Sequence, residues 1–183
     1  MDEYIELLDE NGMPTGASCL KSVAHKYGYF HATVHIWFYT KNSEILIQKR
    51  QASKDTFPNL WDVSVAGNIP FGETPEQGAI REISEEIGLS ISKKELIYFG
   101  THSEKHKHNS NKIDHELHHI FFSLLTEPLQ NLTIQEEEVA AIKLVSLDEL
   151  KTMIYNTPHN FVPHSKDYFT TILYELEEHS TSH

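Results

Sequence analysis

Between Gly67 and Leu89 the chain reads Gly67-Asn68-Ile69-Pro70-Phe71-Gly72-Glu73-Thr74-Pro75-Glu76-Gln77-Gly78-Ala79-Ile80-Arg81-Glu82-Ile83-Ser84-Glu85-Glu86-Ile87-Gly88-Leu89. Glu82, Glu85 and Glu86 stand at i, i+3 and i+4, which puts three carboxylates on one side of a helix. Ile80, Ile83 and Ile87 occupy a neighbouring side and can bury it. Clustered carboxylates repel, so such a set on a packed helix is costly unless a cation or an arginine compensates it. Hard divalent cations take oxygen ligands, and Mg²⁺ is commonly shared between a few carboxylates and substrate phosphates. The pattern therefore suits a Mg²⁺–diphosphate site. Taken alone, Glu-Ile-Ser-Glu-Glu describes a solvated acidic face better; the wider spacing changes the reading.

The segment carries G-x5-E-x7-R-E-U-x-E-E-x-G-U, with U aliphatic, at Gly67, Glu73, Arg81, Glu82, Ile83, Glu85, Glu86, Gly88 and Leu89. In these residues the chain resembles the Nudix hydrolases. The resemblance implies an α/β class fold, an α/β/α sandwich around a mixed β-sheet, and cleavage of a diphosphate linkage. It makes Glu82 and Glu86 the main Mg²⁺ ligands, assisted by Glu85 and by a backbone carbonyl at Ala66 or Gly67, with Mn²⁺ able to substitute. One of the glutamates, directly or through water, would be the general base; Arg81 would hold the carboxylates and Glu73 would tie the loop to the helix. A metal acidifies water and neutralises charge developing on phosphoryl oxygens. A homodimer is compatible with the resemblance, although no residue points to one.

Outside this box, Asp9-Glu10-Asn11-Gly12, His25, His31-Ala32, the run Ile45–Arg50 and the run Leu60–Gly67 resemble the subgroup related to type I isopentenyl diphosphate isomerase. Those isomerases carry a catalytic cysteine just before the box glycine and a metal-binding histidine just after it; here these places hold Ala66 and Asn68. Alanine can neither give nor take the proton that isomerisation moves, and the box is complete, so hydrolysis is favoured. Cys19 falls in a turn-like segment far from the box. Asp114-His115-Glu116 sits where the isomerases place acidic metal and catalytic residues, so Glu116 reads as an extra ligand or general base, or as a polar residue opening a strand. His25 and His31 read as structural histidines or remnants of a second metal site. His102, His106, His108, His115, His118 and His119 follow no zinc spacing and are expected to span a loop. Lys49, Arg50 and Lys54 could contact substrate phosphates, arginine in bidentate fashion. Trp61 reads as core. Tyr29 and Phe30 could stack on a nucleobase, but packing explains them equally well.

These residues need elements to hold them. The box helix should open at Thr74 as N-cap with Pro75 at the first position and Gln77 closing a capping box, and stop at Gly88. Strands are expected at Tyr4–Leu8, His31–Tyr39 and Glu44–Gln48 (these last two as a hairpin), Trp61–Val65, Leu96–Gly100, Leu117–Leu125 and Val139–Val145. Ser146 and Glu149 form a second capping box, opening a helix to about Tyr155. A last helix from near Ser165 to Glu177 carries Phe169, Ile172, Leu173 and Leu176 as one apolar stripe, before a tail, Glu178–His183, expected to fray. Nothing divides the 183 residues, so one domain is expected.

Composition narrows the function. A formal net charge of −12 opposes binding of a nucleic-acid polymer. It leaves a small phosphorylated substrate open, because a divalent metal reverses the local field. No apolar run is long enough to cross a membrane. The start, Met1-Asp2-Glu3-Tyr4, lacks the layout of a signal peptide, and one cysteine excludes a disulfide framework. A cytoplasmic enzyme is expected. Its substrate would be a nucleoside diphosphate derivative or a nucleoside di- or triphosphate. An isopentenyl-diphosphate isomerase and a nucleotide-binding sensor without turnover are the other readings.

Overall fold

The computed structural model describes residues 2–181, the side chains of 180 and 181 excepted. Its frame is a nine-stranded mixed sheet. The strands are β1 (Tyr4–Leu8), β2 (Pro14–Leu20), β3 (His31–Tyr39), β4 (Glu44–Arg50), β5 (Trp61–Asp62), β6 (Val65–Asn68), β7 (Ile97–Asn109), β8 (Lys112–Leu124) and β9 (Val139–Ser146). The helices are α1 (Lys21–Tyr27), α2 (Pro75–Ile87), α3 (Leu147–Tyr155) and α4 (Lys166–Thr181). Strand β3 is the spine. It pairs in parallel with β8 from His31↔Glu116 to Tyr39↔Leu124, while β6 lies antiparallel along its other edge from Thr33↔Asn68 to Ile36↔Val65.

Period-two alternation along the spine divides the core. Trp37 and Tyr39 of β3, Ile45 and Ile47 of β4 and Ile120 and Phe122 of β8 pack under α3 and α4, where Phe169, Ile172, Leu173 and Leu176 form the expected stripe. Val34, Ile36 and Phe38, Leu46 and Phe121 face the other way, onto Ala79, Ile83 and Ile87 of α2. Helices therefore cover both faces of the sheet, an α/β/α sandwich.

Local chemistry sets α2 as expected. The Thr74 hydroxyl accepts from the Gln77 N–H, the Gln77 side chain accepts from the Thr74 N–H, and Gly88 closes the helix in the left-handed region. Elsewhere the structure departs from expectation. The β3–β4 hairpin pairs only at Tyr39↔Ile45. Beyond that point the strands diverge, because β6 takes the edge of β3 while β5 and β9 pair with β4. Trp61–Val65 is two short strands rather than one. The Ser146 cap is half a box, since Glu149 supplies its backbone N–H while its carboxylate is held by Lys143 at 2.9 Å.

Strand β2 and helix α1 were not expected: β2 is an edge strand with mostly exposed residues, and α1 buries only Ala24. Cys19 thus lies on a strand, not in a turn. Helix α4 continues past Glu177 to Thr181; Ser182 and His183 lie outside the described residues. Among the described residues no helix is long and apolar enough to cross a membrane.

Candidate active site

The box assembles on α2 and the strand that precedes it. Glu86 is buried, and its Oε2 accepts from the Gln48 side-chain amide at 2.9 Å and from the Ala66 N–H at 3.3 Å. Burial, reinforced by the neighbouring Glu82 carboxylate, pushes Glu86 up to about 8. Burial also pushes Glu82 up to about 7, against the pull of Arg81. Glu82 lies against the backbone of Gly67, where any Cβ would overlap its carboxyl group. Glycine is required there by close approach, not by its dihedral angles.

Arg81 ties these parts together. Its Nε donates to both Glu73 oxygens at 3.1 and 3.3 Å, its Nη1 to Glu82 at 2.9 Å and Glu85 at 3.0 Å, and its Nη2 to the Asn68 carbonyl at 2.9 Å. These are the contacts that a bracing role for Arg81 and a loop-tying role for Glu73 would require. One guanidinium shared among three carboxylates leaves Glu86 without a salt bridge of its own among the described residues. Two buried carboxylates short of positive charge offer oxygen ligands, which suit a hard divalent cation such as Mg²⁺. The three glutamates are not equivalent: Glu85 is half exposed and turned to Arg81, outside the buried Glu82–Glu86 pair.

Arg81→Lys tests the bracing. An ammonium cannot reproduce the planar fork that reaches Glu73, Glu82, Glu85 and the Asn68 carbonyl together. Turnover is expected to fall by about 10- to 100-fold, as when groups orienting metal ligands are lost, with the fold retained. Steady-state kinetics beside a thermal melt checks both.

Glu82, Glu85 and Glu86 line one wall of a cleft of about 940 Å³. Arg50 and Lys54 line it too, although both are already engaged: Arg50 with Asp62 at 3.0 Å and the Thr56 carbonyl, and Lys54 with Glu138. Lys49 does not line it. Alternation puts Gln48 toward Glu86, so Lys49 shares the face of Ile45 and Ile47. Tyr29 and Phe30 do not line it either; Tyr29 is exposed and Phe30 stacks on His115 at 4.4 Å between ring centroids. Lys21 and Lys112, which the sequence reading passed over, do line it.

The opposite wall is the β7–β8 hairpin, where a loop was expected. The six histidines divide by strand alternation. His102, His106 and His108 of β7 and His118 of β8 share a face with Glu104, Asp114 and Glu116, as contacts along and across the pair show. His115 and His119 point the other way, to the Gly28 carbonyl and to Tyr98. The signal was present as His-x-Glu-x-His-x-His and Asp-x-Glu-x-His at period two, but polar residues on both faces hide a strand.

Glu116 is brought to His31 Nε2 at 3.7 Å and His118 Nδ1 at 3.8 Å. Burial pushes it up, but His31, His118 and His25 outweigh burial and hold it well below the usual carboxylate range. His25, His31 and Glu116 offer ligand atoms within 4.8 Å of one another, so the two histidines are gathered rather than scattered. Asp114 is hydrogen-bonded to His25 at 2.6 Å and to His108 at 2.7 Å. Cys19 does not line the cleft, and no other cysteine exists.

A family model described as the NUDIX domain matches residues 29–165. By fold, box and relatives the chain belongs to the Nudix hydrolase family. It is 35% identical over 158 residues to an uncharacterized Nudix hydrolase of Clostridium acetobutylicum, covering 85% of this chain and 75% of that one. It is 32% identical to an uncharacterized Nudix hydrolase of Listeria monocytogenes over 100% of this chain and 99% of that one. It is also 31% identical to isopentenyl-diphosphate Delta-isomerase 2 of Photorhabdus laumondii, over 97% of each chain. Among solved structures, a protein of Deinococcus radiodurans superposes with a TM-score of 0.65 at 20% identity, covering 83% of this chain and 88% of that one.

Proposed function

We propose that the protein is a Mg²⁺-dependent hydrolase of a diphosphate linkage in a small phosphorylated substrate, a nucleoside diphosphate derivative or a nucleoside di- or triphosphate. The observation that carries this reading is the buried Glu82–Glu86 pair beneath Gly67, which lacks a sufficient positive partner in a cleft that also presents Arg50, Lys54, Lys21 and Lys112. A bound Mg²⁺ would supply Lewis acidity toward phosphoryl oxygens and water. Glu82 and Glu86 hold it, with Glu85 assisting from the rim and the Gly67 backbone close by. Arg81 and Glu73 fix the geometry. Arg50 and Lys54 bind and orient phosphate oxygens, exchanging their present partners for substrate. One of the three glutamates, directly or through water, accepts the proton of the attacking water.

The isomerase relative gives the competing reading its weight, and the site opposes it. Ala66 supplies only its backbone N–H, to Glu86, and no thiol lines the cleft. The solved structure of the NUDIX domain of Shewanella oneidensis NrtR with ADP ribose, 18% identical with a TM-score of 0.56, favours a nucleoside diphosphate derivative for the test panel. The test is a panel of nucleotides, nucleotide sugars and isoprenoid diphosphates with Mg²⁺ or Mn²⁺, products resolved by mass. Water-derived ¹⁸O in one phosphate-containing product is expected. Deuterium in an isomerised isoprenoid diphosphate, or tight binding of an intact nucleotide without turnover, would overturn the hydrolytic reading.

A further inference from the structure

A second group of ligating atoms lies on the opposite wall of the cleft, away from the box. Glu104 and His106 are two residues apart on β7 and share a face; His164 comes from the segment before α4. One atom of each lies within 4.8 Å of the others. His164 Nδ1 is 2.6 Å from Glu104 Oε2, His106 Nε2 is 3.4 Å from it, and His118 Nε2 is 3.6 Å from it. Around one carboxylate oxygen there are thus three imidazoles, the buried His118 among them.

We propose that Glu104, His106 and His164, with His118 as a further donor, bind a divalent transition-metal ion in a site separate from the glutamate helix.

Hydrogen bonding alone leaves this group poorly satisfied. Glu104 Oε1 accepts from the Ser165 N–H at 2.5 Å, and its Oε2 is already taken by His164 Nδ1. The Nε2 atoms of His118 and His164 are buried and have no hydrogen-bond partner among the described residues. His164 Nε2 stands 3.7 Å from Asp62, whose other oxygen is held by Arg50 at 3.0 Å. A buried polar atom left unpaired costs about 1–3 kcal/mol; His164 Nε2 has the Asp62 carboxylate to face, whereas His118 Nε2, aimed at Glu104 Oε2 from 3.6 Å, calls for a closer partner.

A divalent cation could displace the protons that hold these imidazoles to Glu104. Each imidazole so freed has a lone pair to give, Glu104 gives an anionic oxygen, and nitrogen donors select borderline metals over Mg²⁺. The surroundings fix the rings as outer partners of metal ligands do. Thr33 Oγ1 is 2.7 Å from His118 Nδ1, His118 stacks on His35 with centroids 3.9 Å apart, and His35 Nδ1 meets the Tyr168 hydroxyl at 2.8 Å. His106, the most exposed of the ligands, packs its ring edge-on to Phe57 at the cleft mouth and leaves an approach from solvent.

The site is distinct from the His25, His31 and Glu116 group, with which it shares no residue among its three principal ligands. It does not rest on the diphosphate reading, since its donors and its metal preference are different.

The test uses metal-free full-length protein titrated with Co²⁺ in excess Mg²⁺, which fills oxygen-only sites. Bound metal is counted by native mass spectrometry, and the Co²⁺ environment is followed by its visible absorption. Wild type is expected to retain Co²⁺, and His106→Ala to lose one bound equivalent with its share of the absorption. His25→Ala should leave that equivalent in place. Wild type labelled with ¹⁵N-histidine, which requires no variant to fold, should show Zn²⁺ shifting the ring nitrogens of His106 and His164. Unchanged Co²⁺ stoichiometry and absorption in His106→Ala, or ring nitrogens of His106 and His164 unmoved by saturating Zn²⁺, would overturn the proposal.

Discussion

Glu86→Gln is expected to lower Mg²⁺-dependent turnover by about 10³-fold, within the range carried by a positioned acid–base group, while making the metal-free protein more stable in alkali. The two effects have one cause. Glu86 is held up to about 8 in the fold against 4.5 for the free side chain. The folded protein therefore keeps a proton there that the unfolded chain has released. A raised carboxyl contributes stability that is fully present below about 4.5 and is lost as pH rises through about 8. Glutamine has the same shape, can still accept from Gln48 and the Ala66 N–H, and carries no charge to bury.

At pH 9 the metal-free variant should exceed the metal-free wild type by a few kcal/mol, on the order expected when about 1.4 kcal/mol accompanies each pH unit of displacement. At pH 5 the two should converge. Added Mg²⁺ should reverse the order at pH 9, stabilising wild type and leaving the variant nearly unmoved. Denaturant melts at the two pH values, with and without Mg²⁺, read this directly. Equal melts for both proteins at pH 9 would mean that Glu86 is not a buried charge awaiting a cation.

How much of this was legible in the chain depends on how locally each feature is encoded. Helix α2 was read to its ends because Thr74, Pro75, Gln77 and Gly88 act within a few residues of themselves. The spine strands β3 and β8 announced themselves where they are apolar, at Val34–Phe38 and Ile120–Phe122, since burial on both faces leaves a continuous run. The same strand β8 was missed at its start, Lys112–Glu116, where one face turns into the cleft and apolar residues give way to charged ones. Its partner β7 was read only as far as Gly100, and the polar remainder to Asn109 was missed.

The face of β4 was hidden for another reason. A run such as Gln48-Lys49-Arg50 shows that neighbours alternate but not which face meets α2. Only the hydrogen bond from Gln48 to Glu86, thirty-eight positions away, decides that Arg50 rather than Lys49 reaches the site. His164 met Glu104 across sixty positions, with no pattern in either segment to pair them. The box could be found because its carboxylates share one helix; the second cluster could not, because its residues share only a place in space.

Gly67→Ala is expected to separate the site from the fold. The three atoms nearest an added Cβ all belong to the end of the Glu82 side chain. A flexible carboxyl can swing away, so the cost to folding should be small, below about 1 kcal/mol, unlike overpacking of a rigid core at roughly 1–3 kcal/mol. The cost to chemistry should be large, because Glu82 would leave the position that Arg81 holds at 2.9 Å and that faces Glu86. A displacement of about 1 Å at a reacting centre can cost on the order of 100-fold, and a larger loss is expected here since the group displaced is a proposed metal ligand. Glu82→Gln should produce a comparable loss, and combining it with Gly67→Ala should add little, because both act through the same carboxylate. A thermal melt, a Mg²⁺ titration and the kinetics of the two single variants and the double variant form the measurement. Loss of stability as great as the loss of activity, or full additivity in the double variant, would show that Gly67 serves the fold and not the placement of Glu82.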